Sequence, residues 1–251
     1  MALMPRGGSL WLAARATLFM LIALAAISYL DVRTKQTSQN VKRAAVVDPL
    51  YPDDPGYHHE MKALLAACGY KVDSFKGEEV TPERLRKLDA YSVVVLRVHS
   101  TCNQDMIWFF TGEAYSPDKY VLEQMADEVH KARPSLSQQY LFAVGSDYVR
   151  HFMKDKLSGA LVILMGCDGL AATDLAEAFL EGGAAAYVSW DGPVGLEHTD
   201  EATLCLLEAL IAQRMTLGQA VAHTNTLIGP DPDYGSSLLV YPEEAASHRV
   251  G

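Results

Sequence analysis

The chain has 251 residues, of which 49% are hydrophobic and 21% charged, and its formal net charge is −10. This apolar content excludes a disordered acidic tail and suits a globular protein with one α/β domain of normal size or two small ones. The acidic balance argues against a nucleic-acid partner, and four cysteines without a C-x-x-C pair do not make a disulfide scaffold.

The first 40 residues differ from the rest of the chain and contain an apolar stretch, residues 10–30, with a single charged residue. A helix of this length rises about 30 Å, which is enough to cross the hydrocarbon core of a membrane. Trp11 and Tyr29 lie near its two ends, where aromatic side chains anchor a span at the interface. We therefore predict a single-pass membrane anchor and linker over residues 1–40. A cleaved signal peptide is the alternative, since Ala23-Leu24-Ala25 offers a cleavage site.

The basic residues around this stretch leave its orientation open. Arg6 precedes it and Arg15 lies near its start, and four basic residues come after it at positions 33, 35, 42 and 43. A count of positive residues places the main domain in the cytoplasm, whereas a short N-terminal tail is typical of anchors that export the domain behind them. The extracytoplasmic side is favoured on the second argument.

Residues 41–251 alternate between short apolar runs typical of buried strands and longer stretches typical of helices. The predicted strands are residues 44–48, 70–75, 92–98, 160–165, 185–190 and 237–241. The predicted helices are residues 59–68, 81–88, 117–132, 173–180, 199–213 and 217–226. This alternation indicates one α/β domain, a three-layer α/β/α sandwich around a mostly parallel sheet.

An aromatic segment, residues 108–115, is predicted as a loop that follows the third strand. Aromatic clusters usually serve packing, but loops at this edge of a sheet carry function, and Glu113 is therefore a candidate for lining a site.

A histidine and a cysteine, which together can form a catalytic dyad, follow two strands of the predicted sheet. Ligands and catalysis in such sheets sit at the carboxyl ends of the strands. His99 follows the third strand, and Cys167 follows the fourth, between Gly166 and Gly169. An imidazole that takes the thiol proton makes a nucleophile of the sulfur, and nearby backbone N–H groups stabilise the oxyanion that forms.

These motifs resemble the caspase-like cysteine peptidases, a clan that includes caspases, legumains, clostripain, gingipains and CHAT domains. The apolar strand that ends in His99-Ser100 is similar to the clan's strand ending in His-Gly. The strand that ends in Gly166-Cys167-Asp168-Gly169 is similar to the one that ends in a small residue and Cys. The segment 187–191 is similar to the caspase segment that lines the substrate pocket. The resemblance covers residues 41–242.

The resemblance implies that Cys167 is the nucleophile of a peptide-bond hydrolase and that His99 is its general base or orienting group. It implies that the backbone N–H groups of Cys167 and Ser100 are oxyanion donors, with Gly166, Asp168 and Gly169 beside the site. Trp190 and Asp191 would contact the substrate. The sequence departs from the clan at two positions, where Ser100 replaces the Gly and Asp191 replaces the Arg that reads an acidic side chain. Asp191 favours Lys or Arg at the cleaved position.

Other interpretations of the same residues remain open. Cys167 could be a small buried hydrophobic residue, the chain could be a catalytically inactive caspase-like module that binds partners at a membrane, or it could be a flavodoxin-like small-molecule-binding domain. Cys102 could form a disulfide bond with Cys167 in an oxidising compartment. Neither His58-His59-Glu60 nor His198-Thr199-Asp200 has the spacing of a metal site, and no metal or cofactor is predicted.

Overall fold

The computed structural model describes residues 42–52, 54–135 and 139–250. Within them the strands are β1 (Arg43–Asp48), β2 (Lys71–Lys76), β3 (Val93–Leu96), β4 (Ser100–Asn103), β5 (Met106–Ala114), β6 (Val129–Ala132), β7 (Leu141–Val144), β8 (Leu161–Leu164), β9 (Ala186–Trp190) and β10 (Leu238–Tyr241). The α-helices are α1 (Pro55–Ala67), α2 (Pro82–Leu85), α3 (Val121–Met125), α4 (Ser146–Phe152), α5 (Asp174–Glu181), α6 (Leu196–Leu207) and α7 (Leu217–Leu227). Short 3-10 turns at Gly77–Glu79 and Glu243–Ser247 follow β2 and β10.

The larger sheet has six strands in the order β10-β9-β8-β3-β1-β2. All neighbouring strands in it are parallel except the β9–β10 pair, which is antiparallel. The four residues of β3 and the four of β8 are all buried, as expected for apolar strands covered on both faces. The structure therefore confirms the predicted mixed α/β fold with a mostly parallel sheet.

Alternate residues of the central strands belong to different parts of the core, because successive side chains point to opposite faces of a sheet. On β1, Ala44 and Val46 pack with residues from α1, α6 and α7, such as Met61 and Leu206. Ala45 and Val47 pack with residues from α2, α4 and α5 on the other face. Helices thus cover both faces of this sheet.

A second, antiparallel sheet in the order β4-β5-β7-β6 corrects two predictions between the third and fourth predicted strands. The predicted loop at residues 108–115 is wrong, since it falls largely on β5, where Ile107, Phe109 and Thr111 are buried at alternate positions. The predicted helix at residues 117–132 is also wrong. Tyr120 and Asp127 adopt φ values of 51° and 57°, which confine the helix to α3, and the end of the segment forms β6.

The described residues belong to the compact unit Lys42–Gly251. No helix among them is long and apolar enough to span a membrane. The predicted anchor at residues 10–30 lies outside the described residues, as do its linker and the alternative cleavage site.

Candidate functional site

His99 and Cys167 occupy equivalent positions beyond the carboxyl ends of two neighbouring strands. In the parallel β3–β8 pair, Leu96 lies opposite Leu164. Leu96 precedes His99 by three positions, and Leu164 precedes Cys167 by three. The Met165 N–H donates to the Leu96 carbonyl at 2.8 Å, which extends the pairing by one residue. The fold therefore delivers the two residues to the same level of the same edge.

A direct contact joins the two loops. The Ser100 hydroxyl donates to the Cys167 carbonyl at 2.7 Å. Gly166 packs tightly against the chain around Ser100. A Cβ atom on Gly166 would stand 1.9 Å from Ser100 Oγ and 2.7 Å from the Val98 carbonyl oxygen. Gly166 is thus required by the chain's own packing, and Ser100 ties the histidine loop to the cysteine loop.

The register of the antiparallel β4–β5 pair fixes the direction of the Ser100 N–H. Ser100 lies opposite Phe109 in the antiparallel β4–β5 pair, and the Phe110 N–H donates to the His99 carbonyl at 2.8 Å. His99 and Phe110 are therefore a hydrogen-bonded pair and Ser100 is not part of one. The Ser100 N–H consequently points away from β5.

The half-buried His99 side chain lines a pocket of about 200 Å³ at the end of β1. Its ring meets the Phe110 ring edge-on, with 6.4 Å between the ring centroids. Leu50, Pro52 and Leu141 form other parts of the wall. His99 thus borders a partly open pocket formed by the chain after β1 and by β5.

The half-buried Cys167 thiol contacts the backbone of Val194 in the loop between β9 and α6. Its sulfur accepts from the Val194 N–H at 3.5 Å and lies 3.6 Å from the Val194 carbonyl oxygen. Burial raises the pKa of the Cys167 thiol, the Val194 N–H opposes the rise, and the charges of Asp168 and Asp231 add to it. At neutral pH the resting residue is therefore a thiol, not a thiolate.

Alkylation of Cys167 by iodoacetamide is expected to be slower near pH 7 than alkylation of glutathione under the same conditions. Because the pKa is raised, its rate should still be increasing with pH where an ordinary thiol, with a pKa of about 8.5, has levelled off. Mass spectrometry of the peptide that contains Cys167, sampled across a pH series, measures this rate. A plateau at or below pH 8 would contradict the raised pKa.

Asp231 holds the loop that contacts the thiol, a role for which the sequence alone offers no signal. One of its carboxylate oxygens accepts from the Gly195 N–H at 2.7 Å, and the other accepts from the N–H groups of Asp233 and Tyr234 at 2.9 Å each. Burial alone would raise the pKa of this carboxyl, but the three donors lower it overall. The ionised Asp231 therefore fastens the segment beside Val194 to the loop that precedes β10.

Asp168 and Gly169 shape the turn after the nucleophile candidate. Asp168 has a φ of 59°, and its N–H donates to the Gly192 carbonyl at 2.9 Å. A Cβ atom on Gly169 would stand 2.0 Å from Ser189 Oγ, so this glycine packs against β9. The predicted near-site residues do cluster around Cys167, but the faces of the two glycines are filled by serines of this chain.

The two predicted substrate contacts, Trp190 and Asp191, differ in their exposure to solvent. Trp190 is 1% exposed, and its indole N–H donates to Thr199 Oγ1 at 2.8 Å, which makes it a core residue that no substrate reaches. Asp191 is exposed, and its carboxylate accepts from the Ser237 N–H at 2.8 Å. Of the two predicted substrate contacts, the described conformation presents only Asp191 to solvent.

Glu113 lies on β5 as part of the antiparallel sheet. Its two carboxylate oxygens accept from Lys119 Nζ at 2.6 Å and from the Tyr120 hydroxyl at 2.7 Å. Burial and this carboxylate raise the pKa of Tyr120 to about 12. Both oxygens of Glu113 are thus engaged in fixing the segment that precedes α3.

A buried charge cluster beneath the site was not predicted. Arg97, two residues before His99, is fully buried and binds Asp200 through two bonds of 2.8 and 2.7 Å. It also donates to Asp48 at 3.1 Å, and the other oxygen of Asp48 lies 2.8 Å from His58 Nδ1. Burial alone would lower the pKa of the guanidinium, but Asp200 and Asp48 raise it overall. A charged residue inside an apolar strand pattern was the sequence signal, since a buried charge requires partners.

The described residues contain no group of three or more His, Cys, Asp or Glu side chains that could hold a metal ion. The cysteines at 68, 102, 167 and 205 are free thiols, so the Cys102–Cys167 disulfide is absent from this structure.

No protein-family model matches the chain. No curated protein is similar enough to count as a match.

Proposed function

We propose that this chain is a caspase-like cysteine hydrolase that cleaves peptide bonds with a Cys167–His99 dyad. The observation that carries the proposal is the placement of both residues at equivalent positions beyond adjacent parallel strands, with their loops joined by the Ser100–Cys167 hydrogen bond. The carboxyl edge of a mostly parallel sheet is where α/β enzymes place their chemistry. A mostly parallel sheet with helices on both faces is compatible with the three-layer sandwich that the clan resemblance implies.

The proposed reaction is acyl transfer. The sulfur of Cys167 attacks the carbonyl carbon of the scissile bond while His99 takes the thiol proton. His99 then gives that proton to the leaving amine as the C–N bond breaks, which leaves a thioester on Cys167. Water, deprotonated by His99, hydrolyses the thioester and restores the thiol. The Ser100 N–H, which points away from β5, and the Cys167 N–H are the proposed oxyanion donors.

The raised pKa of Cys167 favours one version of this mechanism. Because the resting residue is a thiol, attack on the bound substrate requires that the thiol proton be transferred to His99. His99 therefore acts as a general base in the step itself.

The substrate side of the dyad is acidic. Asp168 follows the nucleophile directly, its charge acts on the thiol, and Asp191 is exposed at the end of β9. A Lys or Arg side chain at the cleaved position complements these carboxylates, whereas Asp would be repelled. A peptide or protein substrate with a basic residue is therefore proposed, presented to a domain that residues 1–40 attach to a membrane.

A catalytically inactive binding module of the same fold is the second candidate. The contact between the Cys167 sulfur and the Val194 backbone favours this candidate, and so does the raised pKa of the thiol. Both are typical of a structural cysteine that packs in the protein interior.

Hydrolysis of fluorogenic peptides that end in Arg, Lys or Asp by the full chain in detergent separates these candidates. We expect Arg and Lys peptides to be cleaved, Cys167→Ala to lower kcat/KM by about 10³-fold or more, and His99→Ala to lower it by about 10²–10⁴-fold. Cys68→Ala is the matched control, since Cys68 is also half-buried but lies at the end of α1. Turnover that survives Cys167→Ala, or no turnover by the wild type, would overturn the proposal, and better cleavage after Asp would overturn the specificity.

A further inference from the structure

The pocket that His99 lines is on the β1 side of the β3–β8 pair, and the contacts of the Cys167 thiol are on the β9 side. It is formed by the chain after β1 and by β5, whereas the Cys167 sulfur contacts Val194 beyond β9. In the sheet order, β1 and β9 stand on opposite sides of the β3–β8 pair. A substrate extended across the dyad therefore meets the Val194 side and the pocket side at its two ends.

The walls of this pocket combine apolar side chains with the polar side chains of Glu78, Thr111 and Gln139 beside His99. Leu50, Pro52, Phe110 and Leu141 line it, and Leu50 and Phe110 are buried. The one hydroxyl on the wall, on Thr111, already donates to the Phe142 carbonyl at 2.9 Å. Glu78 and Gln139 are exposed to solvent, so the buried part of the wall is apolar and favours an aliphatic group.

The size of the pocket suits one side chain. Its volume is about 200 Å³, below the roughly 300–1,000 Å³ of pockets that hold drug-sized ligands. A single branched aliphatic side chain of a peptide fits this scale, with its backbone outside the pocket.

The chemistry of acyl transfer assigns the pocket to one end of the substrate. His99 must hand its proton to the leaving amine, so the residue that carries this amine lies at the imidazole. We propose that the His99 pocket is the subsite for the side chain immediately after the scissile bond and that it selects Leu, Ile, Val or Met there. This inference rests on the proposed function and adds a specificity to it.

Quenched-fluorescent peptides that differ only at the residue after the scissile bond test the subsite with the full-length protein. We expect kcat/KM for Leu to exceed that for Gly by about tenfold or more, as for other apolar subsites that bind one side chain. Asp at this position should be among the poorest substrates. A preference for Lys would assign the recognition to the exposed Glu78 at the pocket and overturn the aliphatic assignment.

Substitutions of the pocket wall locate the effect. Leu141→Trp should fill the space and reduce the Leu-over-Gly ratio to about threefold or less. Leu239→Trp is the control, because Leu239 is also a strand leucine and is 43% exposed. It lies on β10, the edge strand of the six-stranded sheet that is opposite β2. An unchanged ratio in Leu141→Trp would contradict the inference.

A binding measurement keeps this inference separate from catalysis. The dipeptide amide Leu-Ser-NH₂ represents the leaving fragment, and Gly-Ser-NH₂ is its control. On titration into Cys167→Ala, NMR shifts of the Phe110 and Gly112 amides should saturate at about tenfold lower concentration for the leucine compound than for the glycine compound. Equal titrations would overturn the subsite, and they would do so whether or not the wild type hydrolyses peptides.

Discussion

Replacing Arg97 with methionine should lower the free energy of unfolding by about 3–5 kcal/mol at pH 7, because it leaves buried carboxylates without their counter-charge. Arg97 and Asp48 are fully buried, and Asp200 is 6% exposed. Methionine occupies a similar volume but offers no hydrogen bond to either acid. Urea denaturation of the two proteins measures the difference.

The pH dependence of this loss distinguishes a charge effect from a packing effect. Burial raises the pKa of Asp200, and Arg97 is the main group that opposes the rise. Without Arg97 the folded state binds a proton at Asp200 at a higher pH than the unfolded chain does, so acidification favours folding. The deficit should therefore shrink as the pH falls from 7 toward 5, and a constant deficit would indicate a packing defect.

Arg150→Met provides the matched control for Arg97→Met. Arg150 pairs with Asp147 and Glu181 on the surface, where both acids are more than half exposed. Exposed pairs of this kind contribute about 0–1 kcal/mol. A loss in Arg150→Met as large as in Arg97→Met would contradict the importance of burial.

Replacing Gly166 with alanine should destabilise the protein by about 1–3 kcal/mol or more and disturb the dyad, because the added methyl overlaps the atoms that join the two loops. The overlap is with Ser100 Oγ at 1.9 Å and the Val98 carbonyl oxygen at 2.7 Å. Either the Ser100–Cys167 bond breaks or the histidine loop shifts. Denaturation and peptide hydrolysis measured on the same variant report both consequences.

A second substitution tests whether Ser100 is the obstacle. Ser100→Gly alone removes the bond to the Cys167 carbonyl, at a cost of about 1 kcal/mol. Gly166→Ala with Ser100→Gly should be less destabilised than the sum of the single variants, since the closest contact is gone, although the Val98 contact keeps the rescue partial. Gly192→Ala is the control, because its Cβ would stand 3.3 Å from Ser236. Strict additivity would show that the two loops do not press on each other.

The sequence alone determined the central sheet, because that sheet is built from local signals. Apolar runs such as residues 93–96 and 161–164 are typical of parallel strands buried on both faces, and both are strands in the structure. The same rule placed His99 and Cys167 at the ends of these strands. It required no knowledge of their partners.

The antiparallel sheet could not be predicted in the same way. Residues 106–114 carry aromatic and β-branched side chains, but their pairing with β4 and β7 depends on residues distant along the chain. Residues 117–132 contain helix-forming residues, yet Tyr120 and Asp127 adopt left-handed conformations that only the surrounding packing selects. Tertiary contacts overrode local propensity in both segments.

For the candidate site, the sequence determined which residues are proposed to carry the chemistry, and only the tertiary structure decided what surrounds them. Local signals place His99 and Cys167 just beyond strand ends, whereas the pairing of β3 with β8 that makes them neighbours is a tertiary contact. The contact of the thiol with Val194, the burial of Trp190, the Arg97–Asp200 pair and the His99 pocket each join residues distant in sequence. The hydrophobic periodicity of the sequence does not predict such contacts, because desolvation and hydrogen bonding depend on which side chains meet after folding.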